Sequence, residues 1–76
     1  MLLKIKDLNN QVFDIEIDEQ KTVSILKNEI ENKLKIDKRY QRLLFQGSPL
    51  IDEKIIRDCN IRENSIIFLI RTLQYD

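Results

Sequence analysis

The sequence predicts a small α+β domain, on three features of its hydrophobic patterning. Two apolar alternations of period two stand near the N-terminus, one stretch of helical period follows, and a short unbroken apolar run lies near the C-terminus. The 76 residues, 42% apolar and 34% charged, can supply one core. That apolar content is too high for a disordered tail, and no apolar run is long enough to span a membrane. No repeat, low-complexity segment or Gly/Ser/Pro-rich linker divides the chain, so residues 1–76 are read as one domain.

The first strand is carried by Met1, Leu3 and Ile5, which alternate with Lys4 and Lys6 and so share one face. Asp7 to Gln11 contains Asn9 and Asn10, residues that tolerate positive φ and suit a hairpin turn. Phe13, Ile15 and Ile17 then alternate with Asp14 and Glu16, so a hairpin opens the fold.

From Thr22 the period changes. Val23, Leu26, Ile30 and Leu34 are spaced three and four apart, with Lys27, Asn28, Glu31 and Asn32 on the other side, which predicts an amphipathic helix of about three turns. Thr22 is suited to cap its first turn, although Ile25 stands where a capping box places Glu or Gln.

Tyr40 to Phe45 is read as a third strand, closed by a Gly47-Ser48-Pro49 turn in which Gly47 takes unusual backbone angles without steric cost. Leu50, Ile55, Ile56 and Ile61 fit neither period, and residues 50–64 are expected to hold a very short strand and a short helix among turns. Ile66 to Ile70 is an uninterrupted apolar run, the mark of a central strand apolar on both faces.

Charge and composition exclude several functions. Thirteen Lys plus Arg balance thirteen Asp plus Glu, and each half of the chain is within one charge of neutral, so neither nucleic acid nor a membrane surface is expected as a partner. There is no histidine and no glycine-rich phosphate loop, and Cys59, the single cysteine, has no imidazole base. Asp18-Glu19 and Asp52-Glu53 are adjacent carboxylates in predicted turns, read as solvated charge. No catalysis, metal or cofactor is therefore expected. The lone cysteine and the absence of a leader-like segment after Met1 point to a reducing compartment, cytoplasmic or nuclear.

The informative residues lie on the face of the sheet away from the helix. With Leu43, Phe45, Ile67 and Leu69 inward, alternation turns Arg42, Leu44, Ile66, Phe68 and Ile70 outward. One long helix covers only one face, so these residues are expected to form an exposed apolar patch, with Leu8 at the hairpin tip as a neighbour. The alternatives are that the segment after Leu50 folds over this face, or that the patch is a dimer seam.

The element order, the length and the motif Gln41-Arg42-Leu43-Leu44-Phe45-Gln46-Gly47 resemble ubiquitin. The match runs without a gap from Met1 to Leu73. Along it Lys6, Leu8, Glu16, Thr22, Lys27, Ile30, Lys33, Ile36, Leu50, Asp52, Asp58, Asn60, Ile61, Ser65 and Leu69 are identical to the residues ubiquitin carries there. The resemblance implies a β-grasp fold, a mixed four- to five-stranded sheet packed on one helix, with a core of Leu3, Ile5, Phe13, Ile15, Ile17, Val23, Leu26, Ile30, Leu43, Leu50, Ile56, Ile61, Ile67 and Leu69.

The resemblance also implies a function and marks departures from it. A modifier of this family ends in two glycines that thread the channels of activating and deconjugating enzymes, whereas this chain ends Gln74-Tyr75-Asp76, with Thr72 and Gln74 replacing tail arginines. Conjugation through this end is not expected. Ser48 and Glu63 stand at two acceptor-lysine positions, while Lys6, Lys27 and Lys33 remain and are read as surface lysines. The family's main recognition face corresponds to Leu8, Arg42, Leu44, Gly47, Phe68 and Ile70, with Phe68 in place of a histidine. The secondary patch at Ile36 and Leu73 is interrupted by Arg71 and is expected to be weak. Ser65, which matches a serine phosphorylated in the family, is read as a turn hydrogen-bonder.

The expectation is thus a monomeric, non-conjugating interaction domain, the N-terminal module of a longer protein such as a proteasome shuttle factor. Its partners are proteins carrying ubiquitin-binding helices or domains, including proteasomal receptors. A divergent modifier conjugated after processing of a different C-terminus is the second reading, and a domain that docks the patch on its own protein is the third.

Overall fold

The structure is a computed structural model and describes residues 1–72. It contains strands β1 (Leu2–Lys6), β2 (Val12–Glu16), β3 (Gln41–Phe45), β4 (Ser48–Pro49) and β5 (Ile66–Arg71), helix α1 (Val23–Leu34), and 3₁₀ turns at Lys38–Tyr40 and Ile56–Cys59. The five strands form one sheet in the order β2-β1-β5-β3-β4. β1 and β5 are parallel at its centre, and the β1/β2, β3/β5 and β3/β4 pairs are antiparallel. This mixed sheet against a single α-helix is the expected β-grasp arrangement.

Local chemistry sets the element ends. Thr22 caps α1 by accepting from the Ile25 N–H at 3.3 Å, and Lys35 ends the helix in the left-handed region with its N–H on the Glu31 carbonyl. Asn10 takes φ 65° in the β1/β2 turn, where the Asp7 carboxylate accepts from the Asn9 and Gln11 N–H groups. The third strand begins at Gln41 rather than at Tyr40. Asp37 accepts from the Arg39 N–H at 2.8 Å, and its carbonyl accepts from the Tyr40 N–H, so Tyr40 belongs to a 3₁₀ turn. The turn after β3 also differs from expectation: Gln46 and Gly47 form a two-residue loop with φ of 53° and 81°, and Ser48–Pro49 pairs back on β3 as an edge strand. Proline is admissible there because an edge residue needs no N–H on its outer side.

Residues 50–64 contain the short 3₁₀ helix and, in place of a strand, a single bridge between Ile55 and Thr22. This segment lies against the start of α1. The Lys54 and Asp52 carbonyls accept from the Val23 and Ser24 N–H groups at 2.9 and 3.0 Å, satisfying donors that a helix leaves unpaired. It therefore does not fold over the outer sheet face.

The core lies between sheet and helix. Leu3, Ile5, Ile15, Ile17, Val23, Leu26, Ile30, Leu43, Ile56, Ile61, Ile67 and Leu69 are buried, with Phe13, Phe45 and Leu50 partly buried against them. Lys27, which helical periodicity placed on the solvent side, is instead buried at 8% exposure. Its ammonium pairs with the Asp52 carboxylate at 2.8 Å, so Asp52 is not simply solvated turn charge.

Candidate functional site

The candidate surface is built by register. Inward residues pair with inward residues, Ile5 with Ile67 and Leu43 with Leu69, so the intervening side chains meet on the other face. There Leu44 lies opposite Phe68, and Arg42 opposite Ile70. Ile66, at 49% exposure, and Phe68, at 44%, stand open, while Leu44 and Ile70 are half-buried. The structure thus brings together Arg42, Leu44, Ile66, Phe68 and Ile70.

Two other expected members take different places. Gly47 is exposed in the β3/β4 loop, where a Cβ would meet nothing within 4 Å. Its positive φ, rather than crowding, favours glycine. Leu8 is 76% exposed at the hairpin tip and lines a groove of about 460 Å³ with Phe13, Leu34, Ile36, Leu69 and Arg71. Arg71 and Ile36 both line that groove. Leu73 and the tail residues Gln74, Tyr75 and Asp76 lie outside the described residues.

Register also recruits residues that local reading left out. Lys6 pairs with Phe68 on one side and with Val12 on the other, while Pro49 pairs with Leu44. The Lys6 ammonium sits 5.8 Å from the Phe68 ring centroid. Among the described residues Lys6 makes no ion pair, whereas Lys4 is bound to Asp14 at 2.8 Å. The available signal was alternation itself: with Ile5 and Phe13 inward, Lys6 and Val12 must turn outward.

Other sequence candidates are tied into the structure. Besides the buried Lys27, the Lys33 ammonium donates to the Asp14 carbonyl at 2.6 Å. The Ser65 hydroxyl accepts from the Arg62 N–H at 2.8 Å, a turn role. The Cys59 thiol donates to the Ile55 carbonyl at 3.5 Å, and burial pushes its pKa up, which disfavours the thiolate. Asp18 accepts from the Gln20 N–H within its turn. Among the described residues no group of three His, Cys, Asp or Glu could hold a metal ion. The arrangement can bind by apolar contact and charge.

Comparison with known proteins agrees with this architecture. The profile of the family described as "Ubiquitin family" matches residues 3–74. "Ubiquitin-like protein 4A" of Rattus norvegicus and that of Mus musculus are each 40% identical over 70 residues, covering 92% of this chain and 45% of theirs. The protein of that name from Homo sapiens is 37% identical over the same length. The chain therefore spans less than half the length of these relatives. With the β-grasp sheet, the single helix and a family match over nearly every described residue, the chain belongs to the ubiquitin family.

Proposed function

We propose that this ubiquitin-like domain binds ubiquitin-receptor modules, including those of proteasomal receptors, through the outer face of its sheet. The observation that supports this reading is the apolar group Leu44, Ile66, Phe68 and Ile70 gathered on one open face. Leu8, Leu44 and Ile70 act as anchors and Phe68 adds aromatic area. Gly47 permits close approach, and Arg42 orients the partner by charge. A short amphipathic helix suits such a face, because it satisfies its own backbone and offers one apolar stripe. In this reading the domain acts by recognition.

The test is an amide-resolved NMR titration of the 76-residue chain with a ubiquitin-interacting helix from a proteasomal receptor. Shifts should concentrate at Leu8, Leu44, Gly47 and Ile70. Leu44→Ala and Ile70→Ala should each weaken binding by about 1–2 kcal/mol if these side chains are hot spots. No shifts at saturating helix, or unchanged affinity in both variants, overturns the reading.

A further inference from the structure

Two apolar lines cross at Phe68 on the outer face. One follows β5 through Ile66, Phe68 and Ile70. The other runs across all five strands as the row Val12, Lys6, Phe68, Leu44, Pro49, each residue paired in register with the next. Val12 is 53% exposed and Pro49 is exposed, so the row stays apolar out to both edges of the sheet. Lys6 stands between Val12 and Phe68 in register, paired with both, and its ammonium lies by the ring.

The dimensions separate the two lines. A helix is about 10 Å across, and strands are about 4.8 Å apart, so a helix lying along β5 also covers β1 and β3 and presses on Lys4, Lys6 and Arg42. Same-face residues along one strand are about 6.8 Å apart, so a helix lying across the strands centres on the row and touches Ile66 and Ile70, the next outward residues of β5, with its flanks. Within that row the single cation is Lys6, which has no acidic partner among the described residues. An extended peptide is a poorer occupant, because the ladder already uses the backbone groups of the inner strands and its own amides would stay unpaired. Four inter-strand steps of about 4.8 Å carry the row about 19 Å, the length of a helix of about 13 residues.

We infer that the partner of this face is an amphipathic helix crossing the strands, with Val12 and Pro49 as its end contacts and a carboxylate facing Lys6. This rests on the recognition reading above and adds orientation and two specificity-determining residues to it. The receptor helix is titrated into the wild-type 76-residue chain and into the variants Val12→Thr, Pro49→Gln and Leu44→Ala. The two edge variants should each weaken binding by about three- to fivefold, the scale of one small apolar contact, and Leu44→Ala by about tenfold or more. A nitroxide at one helix end should broaden the Val12 amide and at the other end the Ser48 amide. Loss in Leu44→Ala alone, or broadening at Ile66 and Ile70 instead, leaves the recognition reading standing and overturns the crossing orientation. No loss in any variant overturns both.

Discussion

Lys6 holds its ammonium 5.8 Å from the centroid of the Phe68 ring, across the parallel pairing of β1 with β5. The contact joins the hairpin to the central strand and places a positive charge beside the most exposed aromatic ring of the candidate surface. Ring-current theory gives a direct readout: the terminal methylene protons of Lys6 should resonate upfield of an ordinary lysine, and Phe68→Ala should return them to the ordinary position. Identical Lys6 shifts in the two proteins would show that the contact does not persist in solution. Its contribution to stability should be about 0.5–1 kcal/mol, as for other exposed cation–π pairs.

Phe68 also stands where the modifier sequence has a histidine, and the chain contains none. Histidine is the side chain whose ordinary titration falls between pH 5 and 8. Affinity for a receptor helix that itself lacks histidine should therefore stay constant between pH 5.5 and 7.5 in isothermal titration. Phe68→His should make it change across this range, since the imidazole gains charge at the centre of the contact, beside Lys6.

Gln41 is fully buried, and its amide nitrogen donates to the Lys27 carbonyl at 3.0 Å and to the Ile36 carbonyl at 2.9 Å. It ties β3 to the helix and to the loop that follows it. Gln41→Leu keeps the volume but leaves both carbonyls without this donor, and should cost about 1–3 kcal/mol in urea unfolding. An unchanged midpoint and slope would mean that the tie contributes nothing net.

The Lys27–Asp52 pair offers an asymmetric test. Lys27 is nearly buried, whereas the Asp52 side chain is 43% exposed. Removing the carboxylate in Asp52→Ala strands a buried ammonium and should cost about 1–3 kcal/mol. Lys27→Met removes the charge that needs a partner and should cost less. Equal losses in denaturant unfolding would contradict this ordering.

Asp37 predicts the acid limb. The Arg39 guanidinium bonds its carboxylate at 2.8 and 3.1 Å, and the Arg39 backbone N–H adds a further bond at 2.8 Å. The side-chain bond chiefly, then the backbone bond, lowers its pKa from 3.8 to about 2. Because the folded value lies below the unfolded one, the stabilisation is fully present above about pH 4 and disappears as the pH falls through about 2. A carboxyl carbon titration should show the low midpoint, and Arg39→Gln should move it toward 3.8.

The legible part of this protein was local. Alternation in Met1–Lys6 and Phe13–Ile17, the 3.6 period from Val23 and the cap at Thr22 are properties of neighbouring residues. They decided which faces of β1, β2 and α1 turn inward, while Leu44, Phe68 and Ile70 turn out by alternation once Leu43, Phe45, Ile67 and Leu69 are taken as inward. Lys27 misled the same reasoning, because periodicity describes a helix against one surface. The Asp52 turn supplies a second surface, from a segment that itself has no period. Gln46 took a positive φ that its residue type does not announce, since the pairing of Phe45 with Ser48 demands a two-residue loop.

By itself, then, the sequence determined the alternating faces of the opening hairpin, the helix and the family resemblance, because each rests on spacing along the chain. Only the tertiary structure decided that Val12, Lys6, Phe68, Leu44 and Pro49 stand in one row. Strand order and register join residues as far apart as 12 and 68, and no local pattern specifies which strands become neighbours.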